Sequence, residues 1–161
     1  VSPTCPYPCA HRRPPLHQIP CGHAYCRSCL AELRAKDVPQ TCPLCRAELP
    51  PGLDGLYDLG FRAYKRVNCM VERGEISWAS LPAAEQEEMD EVVAMLTEAS
   101  SQGHMLAQAH LGDIYYFGCG VAQDHGRAVE QYKASAAQGN AAAQYNLGVM
   151  HANGRGGLPQ S

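Results

Sequence analysis

Apolar residues recur at helical spacing through most of the chain that follows residue 50. From Leu56 to about Arg73 they lie three and four positions apart, which predicts an amphipathic helix. Gly74 is a natural end for this helix, because glycine readily adopts the left-handed conformation of a C-cap. The side chains predicted to be buried are Leu59, Tyr64, Val67 and Val71.

A second helix is predicted next, with Ser80 as its N-cap and Pro82 in its first turn. Acidic side chains near its start suit the positive end of the helix dipole, namely Glu85, Glu87 and Glu88. Its apolar positions at helical spacing are Met89, Val92, Val93 and Leu96. The pattern ends near Gly103.

The sequence then repeats itself with a period of 36 residues. The matching pairs include Gly103 and Gly139, Ala107 and Ala143, Gly112 and Gly148, and Gly118 and Gly154. The helix at about 83–102 therefore corresponds to one at about 125–138. Small residues would let neighbouring helices approach closely, and the gaps would be filled by Leu111, Ile114, Tyr115 and Leu147.

This pattern resembles the Sel1-like repeat, a relative of the tetratricopeptide repeat. The resemblance is carried by A-Q-A-H-L-G-D-I-Y-Y-F-G-C-G-V-A-Q-D from Ala107 and by A-Q-Y-N-L-G-V-M-H-A-N-G-R-G from Ala143. It covers about residues 90–158 and implies an α-solenoid that binds a protein partner. The second copy departs from the first at Gly157-Leu158-Pro159 and stops before its second helix. Because a solenoid end exposes an apolar face unless it is capped, we read the chain as part of a longer array.

The first 45 residues have a different composition, since they hold seven of the nine cysteines. Such a short segment has too little apolar material for a self-sufficient core, so it needs disulfides or metal. Pro50-Pro51-Gly52 would end this module. We therefore divide the chain into a zinc-binding domain at 1–50, a linker with connecting helices at 51–88, and helical repeats at 89–161, the last one truncated.

Ligand-type residues in this module follow the spacing of zinc sites. Two-residue gaps between cysteines let one tight turn direct two thiolates at one ion. The six clearest candidates are Cys21, His23, Cys26, Cys29, Cys42 and Cys45. Six ligands are too many for one tetrahedral zinc and too few for two, so the missing pair should lie nearby, and Cys5 and Cys9 lie upstream.

Disulfides are the rival interpretation of these cysteines. The odd count, the histidine inside the pattern and the lack of a secretory signal favour metal. Zinc thiolates indicate a reducing compartment, so we expect the cytoplasm or nucleus. No apolar run reaches the length of a membrane helix, and we expect no membrane contact. Because the sequence begins with Val1, an upstream targeting segment could nevertheless precede it.

The charge balance argues against a nucleic-acid partner. Residues 1–50 are formally basic, but seven ligand thiolates and two Zn²⁺ ions would return this module to about zero. The remainder of the chain is acidic, and the whole chain carries a formal net charge of −3. A nucleic-acid interface would need a basic surface, which this balance does not provide.

The cysteine module resembles the RING finger over about residues 5–46. In that family the ligands interleave in a cross-brace, so the resemblance implies two zinc ions. One site would be Cys21, His23, Cys42 and Cys45. The other would be Cys5, Cys9, Cys26 and Cys29. The expected fold is α-dominated, with a small cross-brace RING module of irregular α+β structure before an α-solenoid of helix-turn-helix repeats.

The first ligand pair departs from the family pattern. Cys5 and Cys9 are separated by three residues where the family has two, which disturbs the turn that bonds the thiolates. His11 could replace Cys9 as a ligand, or the first site could be lost.

The RING resemblance implies a ubiquitin ligase. Such a ligase docks a ubiquitin-conjugating enzyme and holds the thioester-linked ubiquitin for attack by a lysine, so catalysis is a matter of orientation. Pro43, Leu44 and Leu33 fall where the family builds its docking groove, although both leucines could simply pack the zinc core. Arg46 follows the last ligand, where a cation positions ubiquitin, and a planar guanidinium suits that bridging role. Its alternative is an ordinary exposed arginine.

Three functions therefore compete at this point. The first is a RING-type ubiquitin ligase whose repeats bind a protein partner. The second is a non-catalytic, zinc-stabilised interaction scaffold, which the altered Cys5–Cys9 spacing favours. The third is a nucleic-acid-binding zinc module, which the charge balance disfavours. We expect the first, with zinc as the cofactor.

Overall fold

The computed structural model describes residues 16–18, 24–26, 29–30, 33, 41–42, 44–49 and 51–155. The chain divides into two units, Val1–Gly52 and Leu53–Ser161. The segment that we assigned as a linker with connecting helices, 51–88, contributes a long helix and the start of another to the second unit.

The N-terminal unit contains a short antiparallel hairpin. Strand β1 (Leu16–Gln18) pairs with strand β2 (Ala24–Cys26) so that Leu16 is opposite Cys26 and His17 is opposite Tyr25. His17 therefore lies in strand β1. The small core of this unit consists of Tyr25, Leu30, Leu33, Cys42 and Leu49.

The second unit is built from five helices among the described residues. They are α1 (Leu53–Glu72), α2 (Ala83–Ser101), α3 (Met105–Phe117), α4 (His125–Ala137) and α5 (Ala141–Ala152). Consecutive helices pack against each other along the chain. This is the helix-turn-helix solenoid that the sequence predicts.

The 36-residue period is confirmed in the details of the helix ends. Gly103 and Gly139 adopt φ values of 90° and 93°, which L side chains rarely adopt. The next residue of each copy caps a helix: His104 accepts from the Ala107 N–H, and Asn140 accepts from the Ala143 N–H, each at 3.1 Å. Both caps satisfy a donor that the helix itself leaves open.

Two expectations about α1 and α2 are wrong. Ser80 is not the N-cap of α2, because that helix begins after Pro82 and has no side-chain cap. Ser80 instead closes a turn, in which its N–H donates to the Ser77 carbonyl at 3.0 Å. Leu59 is 51% exposed, because the face of α1 that packs inward runs through Gly60 and Val67.

The repeat core forms two clusters that share Tyr115 at their margin. The larger cluster contains Met89, Val92, Leu96, Ala107, Leu111 and Ile114, and it joins α1, α2 and α3. The smaller cluster contains Ala128, Val129, Tyr132, Ala143 and Met150, and it joins α4 to α5. The predicted apolar positions of α2 and α3 therefore fill the centre of the solenoid.

Candidate metal centre and its docking turn

The structure describes only part of the predicted ligand set. Cys5, Cys9, Cys21 and His23 lie outside the described residues, as do His11 and Pro43. The backbone of Cys26 is described at the end of β2, whereas Cys29, Cys42 and Cys45 are described with their side chains. Within these described residues, no three potential ligands form a metal-binding cluster.

Cys42 and Cys45 lie on one tight chain reversal. Thr41 and Glu48 form an antiparallel bridge at its base. Inside it, the Cys42 N–H donates to the Ala47 carbonyl, and the Arg46 N–H donates to the Cys42 carbonyl, both at 2.7 Å. We call the described residues 41–42 and 44–48 the docking turn, after the docking role that the RING resemblance implies for this segment. The Cys45 side chain hydrogen-bonds to Cys42, so the turn brings the two thiols close together, as ligation of one zinc ion requires.

The environment of Cys42 favours a thiolate. The side chain is fully buried, and the Tyr25 hydroxyl lies 3.2 Å from its Sγ, where it can donate to a thiolate. Burial alone would raise the pKa of this thiol. The hydrogen bonds from Tyr25, from the backbone N–H groups of Cys45 and Leu44, and from the Cys45 side chain outweigh burial and lower the pKa from 9.0 to about 6.

These donors fit a zinc–thiolate bond. Zinc binds cysteine as the thiolate, and backbone N–H groups of a ligand turn commonly stabilise the charge that the sulfur carries. Cys42 and Cys45 would hold the ion together with ligands from the rest of the module. A zinc ion with four protein ligands has no open position, so it would stabilise the fold of this unit.

The outer edge of the docking turn is accessible. Leu44 is 55% exposed, and Arg46 is also exposed. Among the described residues, Arg46 is the one non-glycine residue with a positive φ, which is 59°. A left-handed conformation costs an L residue roughly 1–2 kcal/mol. The hydrogen bond from its N–H to Cys42 holds the backbone there, so the turn fixes the start of the Arg46 side chain.

Leu33 occupies a different environment from Leu44. It is 7% exposed and belongs to the same core as Tyr25 and Leu49. This position fits the packing alternative for Leu33. Among the described residues of this region, Leu44 is the large apolar side chain that is exposed.

Sequence reasoning missed Tyr25, which contacts a predicted ligand directly. The available signal was its position between His23 and Cys26, inside the ligand pattern. A tyrosine buried in so small a core needs a partner for its hydroxyl, and the Cys42 sulfur is that partner.

The two units together define a zinc-finger module followed by a helical-repeat solenoid. Comparison with known families agrees with both parts. The family model described as "Zinc finger, C3HC4 type (RING finger)" matches residues 2–45. The chain thus carries a RING-type zinc finger, which is a zinc-binding module.

A solved structure supports the repeat assignment. The Sel1 repeat protein from Oxalobacter formigenes resembles this chain with a TM-score of 0.53 and 25% sequence identity. The similarity covers 68% of this chain and 71% of that protein. Together with the 36-residue period, it shows that the helices after the zinc finger are Sel1-like repeats.

Two curated relatives come from Arabidopsis thaliana. The chain is 40% identical over 72 residues to the ERAD-associated E3 ubiquitin-protein ligase component HRD3B. It is 47% identical over 58 residues to the component HRD3A. These matches span 45% and 36% of this chain but only 12% and 9% of the relatives.

No helix in the described part of the chain is both long and apolar enough to span a membrane.

Proposed function

We propose that this protein is a RING-type ubiquitin ligase that docks a ubiquitin-conjugating enzyme through its docking turn. The observation that carries the proposal is the exposed pair Leu44 and Arg46 on a turn whose backbone is fixed by the Cys42 carbonyl. Leu44 offers an exposed apolar contact, and Arg46 offers a cation whose backbone is held by a hydrogen bond. This combination suits a surface that must hold one enzyme in one orientation.

The proposed chemistry is transfer of ubiquitin from a thioester to a lysine amine. Leu44 would contact the conjugating enzyme, and Pro43 would extend that contact. Arg46 would bond both the enzyme and ubiquitin, and so reduce the number of orientations that the thioester can adopt. The rate gain would come from orientation alone, since the proposed mechanism has no covalent intermediate between this chain and ubiquitin.

The cofactor of this proposal is two zinc ions in the cross-brace arrangement. Cys42 and Cys45, with Cys21 and His23, would hold one ion. Cys26 and Cys29 would hold the other, with Cys5 and Cys9. The metal content of the purified chain tests this count: two ions per chain support the cross-brace, and one ion indicates that the first site is lost. Cys9→Ala should release one ion, and His11→Ala should release none if Cys9 is the ligand.

The repeats would bind a protein partner of the ligase. The relatives HRD3A and HRD3B are named as components of a ligase, which supports a place for these repeats in ligase assembly. The same names favour the alternative function, a zinc-stabilised scaffold within a ligase complex. The reducing conditions that zinc thiolates require support a location in the cytoplasm or nucleus.

Lysine discharge separates the ligase from the scaffold. Conjugating enzymes charged with ubiquitin are mixed with free lysine and the full chain, and the loss of thioester is timed. Wild type should accelerate discharge, and Arg46→Ala should slow it at least about tenfold, the effect of one well-placed transition-state contact. Arg62→Ala is the matched control, because Arg62 is an exposed arginine of α1 in the repeat unit.

Zinc content is measured for every variant, so that unfolding of the zinc module is not mistaken for loss of the contacts that Arg46 would make with the enzyme and ubiquitin. A chain that binds zinc but accelerates no conjugating enzyme of a broad panel is the scaffold. Equal rates for wild type and Arg46→Ala would contradict the role given to Arg46.

A further inference from the structure

Tyr25 connects the β1–β2 hairpin to the docking turn from inside the N-terminal unit. Its side chain is fully buried and packs in the same small core as Leu30, Leu33 and Leu49. Its hydroxyl oxygen lies 3.2 Å from the Cys42 Sγ, a contact between residues that are 17 positions apart. The ring is enclosed, and the backbone of β2 is held by its pairing with β1. The position of the hydroxyl is therefore fixed by packing.

Zinc ligation decides which of the two atoms donates the hydrogen bond. A neutral thiol and a phenol can each act as donor or acceptor toward the other. Zinc binds cysteine as the thiolate, which has no proton. A zinc-bound Cys42 sulfur can therefore only accept, and the Tyr25 hydroxyl must donate to it. Such a bond to an ionised acceptor is stronger than one between neutral groups.

Tyr25 differs from the other donors to this sulfur. The backbone N–H groups of Leu44 and Cys45 also donate to it, but they belong to the docking turn itself. The Cys45 thiol donates as well, yet it would lose its proton on binding zinc. Tyr25 donates from a different part of the chain, and its hydroxyl can be removed without changing the sequence of the turn. It is therefore the donor that a substitution can test.

The repeat unit contains a second tyrosine–cysteine contact, which serves as a comparison. The Tyr64 hydroxyl donates to the Cys119 Sγ at 4.0 Å. Cys119 is buried but lies outside the zinc module, and the Tyr64 side chain is only partly buried. The contact that involves the proposed zinc ligand is thus the shorter of the two, and its tyrosine is the more enclosed.

We propose that Tyr25 is a positioning residue of the zinc centre, whose hydroxyl donates to the Cys42 thiolate and thereby raises the affinity of the site for zinc. The tyrosine acts through Cys42 and is not itself a ligand. Donors to metal ligands orient those ligands, and their loss lowers metal affinity by about 10–100-fold. The same bond joins the hairpin to the docking turn, so zinc binding and closure of the small core should occur together. The proposal rests on the assignment of Cys42 as a zinc ligand in the proposed function.

Tyr25→Phe tests the hydroxyl while it retains the ring that fills the core. The full chain is loaded with zinc, and a competing chelator of known affinity measures zinc release. Cys42→Ala identifies the release step of the ion that Cys42 holds, because this variant should lack that ion. The dissociation constant of this ion should rise about tenfold or more in Tyr25→Phe.

Tyr64→Phe is the matched control. It also removes a tyrosine hydroxyl beside a cysteine sulfur, but that cysteine is not a proposed ligand. Its zinc affinity should equal that of wild type. The comparison separates the loss of a hydrogen bond to a zinc ligand from the general effect of a tyrosine-to-phenylalanine substitution.

Cobalt(II) in place of zinc gives a readout that packing alone would not change. Light absorption transfers an electron from a thiolate sulfur to cobalt, and a hydrogen bond to the sulfur stabilises its electrons. Loss of that bond in Tyr25→Phe should therefore move the charge-transfer absorption to longer wavelength. A ring-fluorinated tyrosine at position 25 has a more acidic hydroxyl and donates more strongly, so it should move the absorption to shorter wavelength. This second variant maintains the test if Tyr25→Phe fails to fold.

The possible results separate this proposal from the ligand assignment on which it rests. If Cys42→Ala retains the full zinc content of wild type, the ligand assignment is wrong and the role of Tyr25 is overturned with it. If Cys42→Ala loses an ion but Tyr25→Phe binds zinc with wild-type affinity, the role of Tyr25 alone is overturned. A loss of affinity without a cobalt shift in either Tyr25 variant would also overturn it, because ring packing would then be the cause. The assay contains no ubiquitin or conjugating enzyme, so its outcome is independent of ligase activity.

Discussion

Alanine at Gly112 and at Gly148 should change stability in opposite directions, although the two glycines occupy the same position of the repeat. A methyl group at Gly112 would lie 2.5 Å from the ring of Tyr132, which is buried and hydrogen-bonded to Asp113. The ring cannot retreat without losing that bond or disturbing the core. At Gly148 the same methyl group would meet open space.

Two opposing terms determine each effect. Alanine in place of glycine inside a helix gains about 0.5–1 kcal/mol, because the unfolded chain loses less freedom on folding. Overpacking a filled site costs about 1–3 kcal/mol. Only the gain applies to Gly148→Ala, so this substitution should stabilise the folded chain by about 0.5–1 kcal/mol. Both terms apply to Gly112→Ala. A contact as short as 2.5 Å puts the cost at about 2–3 kcal/mol, so this variant should destabilise by about 1–2.5 kcal/mol.

Gly60→Ala provides the intermediate case. Its methyl group would lie 3.3 Å from Leu96, a contact that a small shift of the leucine can relieve. The two terms then nearly cancel, and the free energy of unfolding should stay within about 0.5 kcal/mol of wild type.

Urea unfolding monitored by tryptophan fluorescence measures the series. The chain has one tryptophan, Trp78, which lies in the repeat unit and stacks against Tyr64 with ring centres 6.1 Å apart. The signal therefore reports the repeats. The midpoint should rise for Gly148→Ala, stay close to wild type for Gly60→Ala and fall for Gly112→Ala. An equal rise for Gly112→Ala and Gly148→Ala would refute the packing of Tyr132 over Gly112.

Three further predictions concern the turn, a helix cap and pH. Arg46→Gly should slow lysine discharge as Arg46→Ala does, yet leave the zinc-bound unit at least as stable to heat, because glycine tolerates φ = 59°. His104→Ala should cost about 1 kcal/mol in urea unfolding and His104→Asn much less, since asparagine also caps well. Burial, followed by the hydrogen bond to Asp113, raises the pKa of Tyr132 above its usual 10.0. The folded hydroxyl then stays protonated where the unfolded one ionises, so stability should fall as the pH rises above about 10. Tyr132→Phe should flatten this fall in urea titrations at about pH 8 and about pH 10.5.

The zinc module shows which part of a site a sequence can specify. Ligand spacing predicts the residues that approach one ion, because two-residue gaps leave few backbone geometries. Spacing cannot tell which apolar neighbour faces water. Leu33 and Leu44 were predicted to share one groove, but Leu33 is in the core and Leu44 is exposed. That difference depends on how the small core closes around Tyr25, which is a tertiary contact.

The repeat unit also contains tertiary contacts that local sequence does not predict. Its 36-residue period predicts the helices and their order, since glycines, caps and apolar positions all recur together. Yet the dipeptide Leu-Gly appears at both 111–112 and 147–148, so local sequence predicts the same role for the two glycines. Their physical roles differ because α4 covers Gly112, whereas no described helix covers Gly148. The sign of a glycine-to-alanine substitution is therefore set by the next helix in space.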